Sequence, residues 1–199
     1  MFGKTMQMRR TLALALIVLS IAACKRAETP ATATKAAVKP ANAQASPETS
    51  TSSTVVGAAM PEYTALNMDG SKFDLAAKRD KVVLLNVWAT WCGPCRYEIP
   101  ELQQLHERYA AKGLEVIGVS VDESGVESVR DFVKEQKKMT YPVVVDADGT
   151  IANLLQTSVL PTSVIVDRAG KIVWKKYGAI MPDDAELQKA LEEAVGRSQ

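Results

Sequence analysis

The sequence predicts an α/β protein in which helices flank a mixed β-sheet. Three observations carry this reading. "KVVLLNVWA" (81–89) and "LEVIGVSVD" (114–122) are nearly unbroken apolar runs rich in β-branched residues, the pattern of strands covered on both faces. Segments with apolar residues at helical spacing alternate with them. The last two strand-like runs are separated only by Arg168-Ala169-Gly170, a tight turn that makes them a hairpin.

Taken in chain order, Tyr63–Asn67 and Lys72–Leu75 flank "MDGS", where Asp69-Gly70 signals a first β-hairpin. The buried strand 81–89 follows. A helix is expected over Arg96–Lys112, with Ile99, Leu102, Leu105 and Tyr109 on one side and Gly113 as its stop. After strand 114–122 come a helix over 126–138, a short strand "YPVVVD" (141–146) and a short helix over 151–155. "TSVIVD" (162–167) and "KIVWKKY" (171–177) form the closing hairpin. The last helix is expected to start at Asp183, whose side chain caps it, with Glu186 completing a capping box.

The 199 residues divide into three parts by composition. Residues 1–23 read as an export signal: Lys4, Arg9 and Arg10 precede the apolar run "TLALALIVLSIAA", which is too short for a membrane helix. Ile21-Ala22-Ala23-Cys24 resembles the bacterial lipobox, which makes Cys24 a candidate for lipidation; the alternative is ordinary signal cleavage after Ala23. Lys25 stands where an Asp would resemble an inner-membrane retention signal, and this leans toward the outer membrane. Residues 24–54, rich in Ala, Thr, Ser, Pro and Lys, hold too little apolar surface to fold and read as a tether. Residues 55–199 read as one globular domain. A formal net charge of +1 argues against a nucleic-acid binder.

Cys92 and Cys95 stand two residues apart where a strand meets a helix, in "WCGPC". A structural zinc site needs four ligands, and the pair supplies two. The folded part offers one histidine beyond them, His106, within "LQQLHERY", read as a solvated or boundary residue. A structural staple closing so short a loop removes little unfolded-state entropy. A redox pair fits the position. Unpaired N–H groups at a helix start stabilise a thiolate, the nucleophile of disulfide exchange. Cys92, at the helix start and facing solvent, is then the attacking residue. Cys95, one turn in, is the resolving one, and Gly93-Pro94 tunes the pair.

"WCGPC" after a buried strand resembles the thioredoxin active site. The longer "NVWATWCGPCRYEIPEL" is similar to the exported, membrane-tethered TlpA/ResA-like branch of that superfamily. The resemblance covers essentially all of 55–199, including the hairpin before the first buried strand, the "VIGVSVDES" strand and an inserted helix–strand unit through "YPVVVD". It implies a thioredoxin-like fold and a thiol–disulfide oxidoreductase. "VLPTSVIVD" matches the family's cis-proline segment, implying a cis Leu160–Pro161 bond beside the cysteines, where an extended substrate pairs. Substrate contact is thereby assigned to Trp91, Gly93, Pro94, Leu160 and Pro161, with Trp91 packed beside the disulfide. Glu98 matches a glutamate that can approach Cys95 at i+3 and take its proton. Pro100 matches a helix-kinking proline. Asn86 departs from cytoplasmic thioredoxins, which carry a buried aspartate there, and this moves proton handling to Glu98.

The expected activity is reduction of disulfides in exported proteins on the periplasmic side of the envelope. The resemblance names as clients apocytochrome c or copper-site proteins with cysteine pairs, and as electron donor a membrane carrier of the CcdA/DsbD type. No cofactor or metal is expected. An oxidase or isomerase is the alternative within the same chemistry. A copper chaperone is the alternative outside it, although such relatives space their cysteines by three and add a later histidine. A peroxiredoxin would want Thr where Ala89 stands.

Overall fold

The computed structural model describes residues 55–136 and 139–197. The signal and tether (1–54) lie outside them. Seven strands form one mixed sheet: β1 (Thr64–Asn67), β2 (Lys72–Asp74), β3 (Val82–Trp88), β4 (Leu114–Ser120), β5 (Val143–Val145), β6 (Thr162–Val166) and β7 (Ile172–Tyr177). Their order is β2-β1-β5-β4-β3-β6-β7. β3 pairs in parallel with β4, and β4 with β5. The β1–β2, β1–β5, β3–β6 and β6–β7 pairs are antiparallel. The helices are α1 (Gly93–Tyr109), α2 (Gly125–Glu135), α3 (Thr150–Leu154) and α4 (Ala185–Gly196). This is the thioredoxin-like arrangement that the resemblance implied.

All seven residues of β3 are buried, because side chains alternate between two covered faces. Val82, Leu84 and Trp88 join a core built with Ile99, Leu102 and Leu105 of α1, Val129 of α2, and Leu187 and Leu191 of α4. Val83, Leu85 and Val87 point the other way, into a core closed by Ile151 of α3, Met60, Tyr63, Phe73 and Leu75. Asn86 is the one polar side chain of β3, and its neighbours place it on the α1 face. Gly118 of β4 lies level with it, and a Cβ there would sit 3.0 Å from the Trp88 indole nitrogen. Glycine at 118 therefore makes room for the tryptophan.

Element ends depart from the sequence expectations for local reasons. α1 starts at Gly93, three residues early, because Cys92 caps it and proline is tolerated in a first helical turn. Pro100 lies within α1, and Gly113, with φ 89°, ends the 3-10 turn that follows at Ala110–Lys112. Leu75 leaves the hairpin for a 3-10 turn, Leu75–Lys78, capped by Asp74. β5 is shorter than expected: it starts only after Pro142, which has no N–H to give, and beyond its end the Asp146 carboxylate accepts from the Ile151 amide at 2.7 Å. α4 is capped by Asp184, which accepts from the Leu187 amide at 3.0 Å, and not by Asp183, whose φ is 60°. With the cap one residue later, Leu187 takes the third helical position and Glu186 completes no capping box.

Leu102 is fully buried between α1 and the sheet, whereas Gln104 is exposed. Leu102→Ala should cost about 2–5 kcal/mol, and Gln104→Ala within about 0.5 kcal/mol, in urea unfolding of the oxidised protein.

Candidate active site

β3 delivers the chain to the C-terminal edge of the sheet, and a short turn feeds it into α1. That turn is held by Asp122, which is buried just beyond the end of β4. Its carboxylate accepts from the Thr90 amide at 2.9 Å, the Thr90 hydroxyl at 2.6 Å and the Ser120 hydroxyl at 2.6 Å. Three donors satisfy a charge that would otherwise be costly to bury. The Cys92 amide then donates to the Ala89 carbonyl at 3.1 Å, closing the turn.

Cys92 and Cys95 are joined by a disulfide, with Cα atoms 5.3 Å apart. Cys92 is the N-cap of α1: its Sγ accepts the Cys95 amide at 3.2 Å. Both residues belong to the α1-side core. Cys92 is 5% exposed and Cys95 1%. The expectation that Cys92 faces solvent is corrected here: its sulfur is bonded to that of Cys95, one turn into the helix and in the core. Trp91, next to Cys92 in the chain, is 72% exposed. Gly93 and Pro94 form the exposed first turn of α1.

The Leu160–Pro161 bond is cis. Val87 of β3 pairs with Thr162 of β6, so the antiparallel register puts Pro161 level with Trp88, at the edge where β3 leaves for Cys92. Pro161 is buried, and its carbonyl accepts the Gly178 amide at 2.8 Å. Leu160 is half-buried and packs against both cores.

Glu98, one turn beyond Cys95, is 1% exposed. The Asn86 amide donates to its Oε1 at 2.7 Å, and the Ile180 backbone N–H donates to its Oε2 at 2.7 Å. Asn86 also donates to the Ser163 hydroxyl at 3.0 Å. Burial lifts the Glu98 pKa from 4.5 to about 7, against the downward pull of Ile180, Asn86 and the Lys176 charge. The group thus changes protonation near neutrality, where a proton acceptor is most useful. Beside it, α1 and the chain at Ala179–Pro182 line an apolar hollow of about 310 Å³, with Tyr97 87% exposed at its edge. His106 is half-buried further along α1, its ring 6.4 Å from that of Tyr141.

A thioredoxin-like sheet with a CxxC disulfide capping the helix after its central strand defines a thiol–disulfide oxidoreductase. The chain belongs to the AhpC/TSA family, whose pattern matches residues 56–175. It is 35% identical over 136 residues to a thiol-disulfide oxidoreductase ResA of Bacillus cereus, covering 67% of this chain and 78% of that protein. A Chlorobium tepidum structure assigned as the thiol:disulfide interchange protein DsbE superposes with a TM-score of 0.64 at 30% identity, covering 69% of this chain and 96% of that one. StoA from Bacillus subtilis gives a TM-score of 0.55 at 25% identity, covering 66% and 96%.

Two contributors escaped the sequence. Asp122 read as a strand end, although an acid closing an apolar strand at the cysteine edge was the available signal. The Ile180 N–H left no signal, being backbone.

Glu98 also makes stability depend on pH. A carboxyl with a raised pKa binds its proton more tightly when folded, so the contribution of Glu98 to stability is fully present below pH 4.5 and is lost as pH rises through 7. Relative to Glu98→Gln, the oxidised wild type should lose on the order of 3 kcal/mol across that window, measured by urea unfolding at a series of pH values. A constant difference between the two proteins would refute the raised value.

Proposed function

We propose that this protein is a lipid-anchored periplasmic reductase, with Cys24 lipidated, residues 24–54 as tether and 55–199 as the working domain. The observation that carries the reading is Cys92 at the α1 N-cap, with the Cys95 amide aimed at its sulfur. That amide and the helix dipole stabilise a Cys92 thiolate.

The cycle starts from the dithiol. The Cys92 thiolate attacks one sulfur of a client disulfide; that S–S bond breaks, and the client's other sulfur leaves as a thiolate. Glu98 takes the proton of Cys95, whose thiolate then attacks Cys92 Sγ. The mixed disulfide breaks, the second client thiol is released, and the Cys92–Cys95 disulfide forms. Two electrons have passed to the client, and the dithiol of a membrane donor of the CcdA/DsbD type restores them. Leu160 and Pro161 offer the backbone edge along which the client lies, with Trp91 and the Gly93-Pro94 turn as its other contacts. The clients in this reading are exported proteins with cysteine pairs, apocytochrome c or copper-site proteins. Gly-Pro between the cysteines supports the reducing direction, and Lys25 favours the outer membrane.

The Cys92–Cys95 potential, equilibrated against a defined thiol buffer, should lie near the thioredoxin value of about −270 mV; a value above about −180 mV would make the protein a disulfide donor. Cys92→Ser should abolish exchange, whereas Cys95→Ser should accumulate client adducts on Cys92 that reductant releases. Growth with a labelled fatty acid should mark the wild type and leave Cys24→Ser unlabelled. An unlabelled wild type would remove the anchor from the reading.

A further inference from the structure

The strand register carries the Glu98 environment beyond the residues that touch it. Asn86 of β3 lies opposite Ser163 of β6, and Ser163 lies opposite Lys176 of β7. Directly opposed residues share a face of the sheet. One row further in, Leu84, Ile165 and Trp174 occupy the same face, and all pack in the α1-side core. The row Asn86–Ser163–Lys176 is therefore a polar stripe crossing three strands beneath α1. Glu98 is bonded to its first member.

Lys176 is also one end of a clasp. Its ammonium is ion-paired and hydrogen-bonded to the carboxylate of Asp184, the cap of α4. Between them runs a connection, 177–183, whose middle residue supplies the Ile180 N–H to Glu98 Oε2. One ion pair thus closes the segment that holds one carboxylate oxygen, and it stands on the same stripe as the Asn86 that holds the other. The Asp184 side chain is only 9% exposed and that of Lys176 31%, so water screens the pair less than an open surface contact.

We propose that Lys176, clasped to Asp184, is a positioning residue for the resolving step: it holds the 177–183 connection against Glu98 and places a positive charge on the stripe beneath the carboxylate. The inference rests on the reading of Glu98 as the acceptor of the Cys95 proton. The titratable groups around Glu98 are Tyr141 ahead of β5 and Lys176 on β7 with Asp184 behind it, joined by Cys95 on its own helix only once the disulfide is reduced. Burial, and then the Glu98 charge, push the Tyr141 hydroxyl far above its ordinary value, so it stays neutral. Lys176 is the cation whose charge favours the ionised form of Glu98.

Lys176→Met keeps the apolar stem and removes the charge and the clasp. Lys176→Arg keeps both and serves as the rescue. In the oxidised full chain, the Glu98 side-chain carboxyl can be followed against pH by carbon-13 resonance, assigned by its loss in Glu98→Gln. Lys176→Met should move its midpoint up by about 0.5 to 1 pH unit, with Lys176→Arg close to wild type. The pH profile for release of a Cys92-linked mixed disulfide should shift upward by the same amount, and Lys176→Met should add nothing in a Glu98→Gln background. An unmoved carboxyl midpoint overturns the proposal, as does an equal effect of Lys176→Met with and without Glu98. A midpoint that moves while release shows no dependence on Glu98 supports the hold of Lys176 on Glu98 but removes the proton-acceptor reading. The two failures are therefore distinct.

Discussion

A carboxyl group taken out of water, on the covered face of an apolar sheet, is the constraint that organises this side of the molecule. Burying Glu98 costs free energy, and the structure recovers part of it with one donor for each oxygen. Those donors come from distant points of the chain, Asn86 on the central strand and Ile180 beyond the last one. The carboxyl therefore fixes how the end of β7 meets α1. It also explains why β3, otherwise apolar, carries an asparagine at its centre. An aspartate at 86 would set two acids side by side; an amide supplies a donor to Glu98 and a second to Ser163.

The cysteine turn is set by a second buried acid. Asp122, just past the neighbouring parallel strand, binds the backbone and side chain of Thr90, two residues ahead of Cys92. The two acids differ in how they are satisfied. Asp122 receives three strong donors and acts as a fixed anchor. Glu98 receives two, and burial leaves it with a proton affinity near neutrality.

The architecture was legible because buried parallel strands and amphipathic helices leave strong periodic signals. β3 and α1 emerge from "KVVLLNVWA" and the Ile99–Leu102–Leu105–Tyr109 stripe with ends displaced by only a few residues. The displacements follow from side-chain caps, which pattern does not encode: Cys92 extends α1 backward, and Asp184 takes the place expected of Asp183. Within the site, the cysteines, Glu98 and Pro161 could be named from motif alone. Burial could not. Cys92 is buried through its bond to the Cys95 sulfur, and Trp91, just ahead of it, lies in the open; residue type gave neither. Ile180 contributes through its backbone, which every residue possesses, so no residue type could mark it.

The bond between the Gly178 N–H and the Pro161 carbonyl narrows how an extended chain could lie along this edge. Proline has no N–H to give, and its carbonyl is already engaged from the β7 side. An extended client of the kind proposed would then have to pair with the backbone of Leu160, one residue farther from β6. Pairing there would fix the phase of the visiting strand, since a slip of one residue turns its side chains to the opposite face. Under the proposed function the edge would act as a ruler: it would discriminate by where a cysteine falls along the strand, and would be tolerant of which residues surround it.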